Sequence, residues 1–362
     1  MRVLVVKMSS LGDVIHTLPA LTDAAGALPG ISFDWVVEEA FAEIPGWHPA
    51  VDRVIPIALR RWRRHPFRDF TGPEWRQCKV ALRRFQYDAV IDAQGLLKSA
   101  FVARLVKAPV YGMDKRSARE GLAAATYHHR IHVPVDMHAV ERTRLLFARA
   151  LGYRVPSGQG EYGVRENLPQ GRQGLPPGLL FFHSSARKEK LWPEAHWAEL
   201  ARLAAGAGYT VWLPWGGPGE RERAGRIAGQ AHSAEVLPGL DLRGLAGMLL
   251  EVQGAVAVDT GLGHLAAALD VPMVSLYGPT SVKLVGAYGR TQVSLQGGLY
   301  GGGCQRRQHR QWQPRPGCGH LQQQRGTLRR YMNLMQARRN TVLEDLRQSG
   351  HRSCNAAQLK AG

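Results

Sequence analysis

Short apolar or β-branched runs alternate with helix-period segments along most of this chain, and that alternation restricts the fold more than any other feature. A strand run, a polar turn and a helical stretch repeat as βαβ units. Such units bury their apolar faces as a parallel sheet with helices on both sides. Strand-like runs at 3–6, 33–37, 54–57, 89–91 and 110–112 are separated by helical stretches near 19–27, 73–85, 97–106 and 138–151. Residues 152–178, rich in Gly, Pro and Gln, lack periodicity and read as a linker. The alternation restarts with runs at 179–183, 210–213, 234–237, 255–258 and 273–276, with helices between them. The expected fold class is α/β, with two Rossmann-like doubly wound domains, 1–151 and 179–290, facing each other across a cleft. A length of 362 residues suits two domains.

Beyond about residue 289 the pattern dissolves into a basic, Gln- and Gly-rich tail, 291–362, with one helical candidate at 328–346. The formal charge of +18 is concentrated there: twelve Lys/Arg against two Asp/Glu give the tail a surplus of ten, leaving eight for the first 290 residues. That residual surplus favours an anionic partner, and without a recognised nucleic-acid module no nucleic acid is expected. Four cysteines are too few and too scattered for a disulfide scaffold. Cys304, His309, Cys318 and His320 match no standard zinc spacing, so no metal is expected. No apolar run approaches the roughly 20 residues that cross a bilayer, and the chain opens directly into a strand, so it reads as cytoplasmic.

Four strand-to-helix turns carry the candidate chemistry. Ser9-Ser10-Leu11-Gly12-Asp13 follows the first strand and places a lone carboxylate at the crevice end of the sheet, as a helix cap or as a base. Asp92 to Ser99 is a second polar turn, containing Gln94 and Lys98. His183 to Pro193, with Ser184, Ser185 and Lys190, offers hydroxyls and a cation suited to phosphate oxygens, or is a solvated basic loop. Asp259-Thr260-Gly261-Leu262-Gly263-His264 opens a helix through small residues, either simply capped or free to bind a diphosphate on its backbone N–H groups. Glu220, after a glycine-rich turn, suits ribose hydroxyls or a helix dipole. Arg60, Arg61, Arg63 and Arg64 lie in a ten-residue stretch of five arginines and two aromatics that fits an anionic surface, and Arg119 adds charge to the same half.

These turns, taken in order, resemble the lipopolysaccharide heptosyltransferases of glycosyltransferase family 9, which have the GT-B fold. The resemblance rests on 7–19, 92–99, 183–193 and 259–264 and covers residues 1 to about 290. It implies transfer of L-glycero-D-manno-heptose from ADP-heptose to a Kdo residue of Kdo-lipid A at the cytoplasmic face of the inner membrane. The enzyme would be peripheral there. The serine-serine-x-glycine-aspartate opening favours addition of the first heptose; the alternative is a transferase of the same family that adds the second heptose or another core sugar. The resemblance implies a single inverting displacement without metal or other cofactor, with Asp13 as general base and Lys190 offsetting charge on the departing ADP. Thr260, Gly261 and His264 would hold the diphosphate, Glu220 the ribose and the backbone around Leu240 the adenine, with Ser184, Ser185 and Asp259 beside the donor. Arg60, Arg61, Arg63, Arg64, Gln94, Lys98 and Arg119 would face the acceptor in the first domain. The chain departs from the family pattern in reading Ser184-Ser185 where adjacent threonines are usual, and Gly263 where a larger residue is expected.

Overall fold

The computed structural model describes residues 1–64, 68, 71–168, 176 and 178–296. The Cys/His set, the helical candidate at 328–346 and the rest of the tail from 297 onward lie outside the described residues. Two six-stranded parallel sheets form the body. The first is built from β1 (Arg2–Val6), β2 (Ser32–Glu38), β3 (Val51–Ile57), β4 (Ala89–Asp92), β5 (Val110–Met113) and β6 (His129–Ile131) in the order β3-β2-β1-β4-β5-β6. The second contains β7 (Gly178–Phe182), β8 (Thr210–Leu213), β9 (Ala234–Val236), β10 (Gly254–Val258), β11 (Met273–Tyr277) and β12 (Gln292–Gln296) in the order β12-β11-β10-β7-β8-β9. Both halves therefore have the strand order of a nucleotide-binding domain, with the reversal of winding between β1 and β4 in one and between β7 and β10 in the other.

The central strands are apolar throughout because both faces of each sheet are covered. Val3 and Val5 join the core on one face, and Leu4 and Val6 join the core on the other, all fully buried. Leu180 and Phe182, against Leu179 and Phe181, repeat this in the second half. The inner core is continuous between the halves: Val14 and Ile15 of α1 (Leu11–Ile15) and Leu18 of α2 (Leu18–Ala27) share it with Leu265 and Leu269.

The structure revises several boundaries. The second sheet extends past 290, because β12 pairs with β11 from Met273↔Gln292 to Tyr277↔Gln296. Its side chains are mostly half-buried, so the edge strand lacks the apolar run that marks central ones. The short edge strand β6 was hidden for the same reason. The segment expected to be a free linker is packed against the first domain as far as Leu168: Arg144 donates to Gly158 O and Pro156 O, and Tyr162 and Val164 are buried. Arg60 and Arg61 belong to a helix, α4 (Leu59–Trp62), whose Leu59 and Trp62 are core residues, and Arg63 and Arg64 follow it in a turn. Residues 65–67 of the same stretch lie outside the described residues.

Candidate functional site

The four chemistry-bearing turns all fall at the carboxyl ends of strands beside the two switch points, after β1, β4, β7 and β10. In the first domain the turn after β1 leads to Asp13, the third residue of α1. Asp13 Oδ2 accepts both the backbone N–H and the hydroxyl of Ser10, each at 2.8 Å, so the side chain does cap its helix. Both bonds fall on Oδ2, which leaves Oδ1 for another donor. Burial works against the charged form of Asp13, but the ammonium of Lys7 and the Ser10 bonds outweigh it and hold the carboxyl below its usual range. Lys7 sits at the end of β1 and donates to Ala93 O at 2.9 Å. Its own proton affinity is lowered by burial against the opposing pull of Asp13 and Asp92.

The turn after β4 fixes the turn after β1. Gln94 Oε1 accepts from Met8 N at 2.7 Å and Ser9 N at 3.3 Å, and its Nε2 donates to Ser9 O at 2.8 Å. Both ends of its amide therefore serve the Ser9 backbone, so Gln94 positions the Asp13 turn rather than facing outward as an acceptor ligand. Asp92 is fully buried and accepts from Tyr127 Oη, Ser99 Oγ and the Gln94 and Gly95 N–H groups. Even with these four donors, burial raises its proton affinity.

The acceptor-side cations divide. Arg119, though exposed, acts electrostatically on Asp13 and Lys7. Arg60 and Lys98 both act on Glu38, whose N–H donates to Met8 O at 3.1 Å beside the same turn. Arg61 instead forms ion pairs with Glu39 at 3.1 Å and Glu74 at 2.9 Å. Its guanidinium is committed within the protein, which corrects its expected place among the free acceptor-facing arginines. Arg63 and Arg64 are exposed beyond the end of α4.

In the second domain, Lys190 Nζ lies 2.6 Å from Asp259 Oδ2, and Ser185 Oγ donates to Asp259 O at 2.9 Å. These contacts tie the turn after β7 to the turn after β10. Ser184 Oγ pairs with His183 Nδ1 at 2.9 Å, and His183 Nε2 reaches Pro214 O at 3.1 Å. Thr260 is the cap residue of α11 (Gly261–Ala268); its side chain accepts none of the first-turn N–H groups, and of these the Gly263 N–H donates to Thr260 O at 3.1 Å, so an anion at this helix start would meet the amides that precede it. Gly263 is small because a Cβ there would come 3.3 Å from Ala257 Cβ, with Met273 behind it.

Glu220 lies in the first turn of α9 (Pro218–Ala228) and accepts from Gly216 N at 2.8 Å. With Trp215 and Leu240 it lines one wall of a cavity of about 370 Å³; Glu39, Ala42 and Glu43 of the first domain line the opposite wall. That volume and mixed lining suit a nucleoside-sized ligand.

His264 was expected at the diphosphate; it is buried against the first domain. Its Nδ1 is 3.0 Å from His16 Nε2, and its ring occupies the space that a Cβ on Gly12 would fill, with Cδ2 at 2.5 Å. Gly261 is the reciprocal case: a Cβ there would lie 2.8 Å from Leu11 Cβ. Two glycines thus let α1, bearing the candidate base, approach α11, bearing the candidate anion site. His138, the cap of α7 (Ala139–Leu151), lies edge-on to His16 at 5.3 Å and reaches Gly286 O at 3.0 Å. His16 and Lys7 were missed as functional residues. Lys7 could have been read from its place directly before the Ser9–Asp13 turn, but no local pattern identifies His16, whose partner is 248 residues away. Among the described residues, no group of three or more His, Cys, Asp or Glu side chains could hold a metal ion.

The family model described as glycosyltransferase family 9 (heptosyltransferase) matches residues 75–313. Lipopolysaccharide heptosyltransferase 1 of Pseudomonas aeruginosa is 58% identical over 280 residues, 77% of this chain and 79% of that protein. Lipopolysaccharide heptosyltransferase 1 of Escherichia coli K12 is 52% identical over 283 residues, 77% of this chain and 88% of that protein. Among solved structures, E. coli heptosyltransferase WaaC with ADP is similar at a TM-score of 0.78 and 50% identity, covering 82% of this chain and 93% of that one.

Proposed function

This chain belongs to glycosyltransferase family 9, the heptosyltransferases, and we propose that it transfers L-glycero-D-manno-heptose from ADP-heptose to a Kdo residue of Kdo-lipid A, building the lipopolysaccharide inner core. The observation that carries this reading is the apposition of α1 and α11. A charged carboxylate, Asp13, stands on one side of the cleft. Facing it are uncapped helix amides and the Lys190–Asp259 pair. The likeness to a WaaC structure solved with ADP supports a nucleoside diphosphate on the second domain.

In this reading the reaction is one displacement with inversion. The acceptor hydroxyl oxygen attacks the anomeric carbon and gives its proton to Asp13, while the bond from that carbon to the β-phosphate oxygen breaks and ADP leaves with the electron pair. Asp13 suits the role because Lys7 and Ser10 keep it ionised. Lys190 and the amides at the start of α11 offset the charge on the leaving diphosphate, a task that does not call for a metal. Lys190 would then exchange part of its contact with Asp259 for phosphate oxygens, with Ser184 and Ser185 beside it. Thr260 and Gly261 would lie against the diphosphate, Glu220 would take the ribose hydroxyls, and the adenine would enter the cavity near Leu240. Arg60, Arg63, Arg64, Lys98 and Arg119 would face the anionic acceptor, and the enzyme would work as a peripheral protein on the cytoplasmic side of the inner membrane.

The test is transfer from ADP-heptose to Kdo-lipid A by the wild type and Asp13→Ala. Removing a general base is expected to lower kcat by about 10²–10⁴-fold. Undiminished turnover by the variant would remove Asp13 from that role, and no transfer by the wild type would overturn the substrate assignment.

A further inference from the structure

The arginine-rich stretch does not offer its tryptophan to a surface. Trp62 is buried edge-on to Trp75 at 5.7 Å, and its Nε1 donates to Glu74. The apolar contribution to that face comes from a different element. Trp75, on α5 (Pro73–Leu82), stacks on Phe101 of α6 (Leu97–Arg104) with ring centres 6.1 Å apart and planes 12° apart. Phe101 is nonetheless 52% exposed. One turn earlier on the same helix, Leu97 is 48% exposed. The N–H of Leu97 donates to Glu120 Oε2 at 2.7 Å, which brings the following 3-10 turn, Gly121–Thr126, alongside α6. Leu122 of that turn is 70% exposed.

Leu97 and Phe101 therefore share one face of α6, and the exposed Leu122 lies on the turn packed beside that helix, unlike singly exposed hydrophobics, which need no explanation. Cations lie on the same and neighbouring elements. Arg104 continues the Leu97–Phe101 stripe, Arg76 and Lys79 lie on α5, and Arg63 and Arg64 follow Trp62; Lys79 Nζ is 5.9 Å from the Trp75 ring. The nearby carboxylates are already engaged, Glu74 by Arg61 and Trp62 and Glu120 by the Leu97 N–H. An apolar centre with a cationic rim and engaged acids matches the interface of an anionic bilayer.

We propose that the Leu97–Phe101–Leu122 face docks this protein on a bilayer containing anionic phospholipid, with the three apolar tips in the interfacial layer and the rim arginines against headgroups. The face adjoins the turn after β4, because α6 grows directly from it. Docking would therefore present the acceptor side of the cleft to the membrane. This use of the surface rests on the lipid-linked acceptor proposed above, but vesicle binding can be measured without any acceptor.

The experiment is co-sedimentation of the full chain with phosphatidylcholine vesicles, with and without phosphatidylglycerol, for the wild type, Phe101→Ser/Leu122→Ser and Phe101→Trp. The wild type is expected to bind the anionic vesicles and lose affinity as salt rises. The double serine variant should bind at least about tenfold more weakly with an unchanged Tm, whereas Phe101→Trp should retain binding. Transfer to a water-soluble, de-acylated acceptor should be the same in all three proteins. Equal vesicle binding by the wild type and the serine variant, or no preference for anionic vesicles, would overturn the docking face. Absence of heptose transfer together with intact, Phe101-dependent vesicle binding would overturn the substrate assignment and leave the docking face standing.

Discussion

Asp13 is at once a helix cap and the proposed base, and the two roles are compatible because the capping bonds use one carboxylate oxygen. Its support is indirect: Gln94 holds the Met8 and Ser9 backbone through three bonds, so the carboxylate's position depends on an amide from the neighbouring turn. Gln94→Leu leaves the Met8 and Ser9 groups without partners in a buried place, at a cost of about 1–3 kcal/mol. It should lower kcat about tenfold or more while ADP still raises the Tm as in the wild type, since the proposed diphosphate contacts belong to the other domain. Loss of the ADP shift in step with kcat would point to general unfolding instead. Asp13 itself was legible because a carboxylate in a glycine-containing turn after an apolar run has a predictable place on the sheet. The engagement of Arg61 by Glu39 and Glu74 was not legible, since those partners lie 22 and 13 residues away.

Among the elements, the contact of α1 with α11 is the most demanding, since it joins the two halves through positions that admit no side chain. Gly12→Ala would put a methyl group 2.5 Å from His264 Cδ2, and Gly261→Ala would put one 2.8 Å from Leu11 Cβ. Each is expected to cost about 1–3 kcal/mol by forcing the helices apart, and each should raise KM for the donor as well as lower the Tm. Because the Gly12 clash is with one ring, adding His264→Ala to Gly12→Ala should recover part of the lost Tm. Strictly additive losses in the double variant would mean that the ring is not the obstacle. The edge strand β12 gives another test. A chain ending at residue 290 loses a strand paired along the whole of β11 and exposes that edge, so its Tm should fall clearly below that of a chain ending at 296. Equal Tm values would show that β12 adds nothing to the sheet.

At the scale of the whole molecule, several histidines are neutral in the folded protein. Burial, assisted by neighbouring positive charge in some cases, pushes His48, His183 and His264 down to about 4, and His16 lower than its usual value. These groups bind protons more readily when unfolded. Their contribution to stability is therefore fully present above the ordinary histidine value near 6.5 and is lost as the pH falls from there toward about 4. A displacement of that size is on the order of 3 kcal/mol for a single isolated histidine. The His16–His264 bond adds a connection between the halves, because one ring must donate and the other accept, an arrangement that two imidazolium rings cannot form. The urea midpoint should drop between about pH 7.5 and about pH 5, and His16→Gln should reduce that drop. A midpoint unchanged over that range would show that these histidines titrate normally in the fold.

Periodicity determined the two parallel sheets, and the strand-to-helix turns determined which residues stand at their crevice ends: Asp13, Gln94, Lys190, Asp259 and Thr260 are all there. These are consequences of local order, since an apolar run followed by a polar turn fixes which end of a strand the turn occupies. Edge strands β6 and β12 escaped because half-exposed residues carry no strong period, and 152–168 looked like a spacer because its packing relies on Arg144 and Tyr288 rather than on a pattern of its own. Only the tertiary structure decided that His264 faces His16, that Arg61 is neutralised and that Trp62 is buried while Phe101 is not. Each of those outcomes depends on which distant side chain arrives at a shared surface, and tertiary packing, between the halves for His264 and within the first domain for Arg61, Trp62 and Phe101, selects it rather than the spacing along the chain.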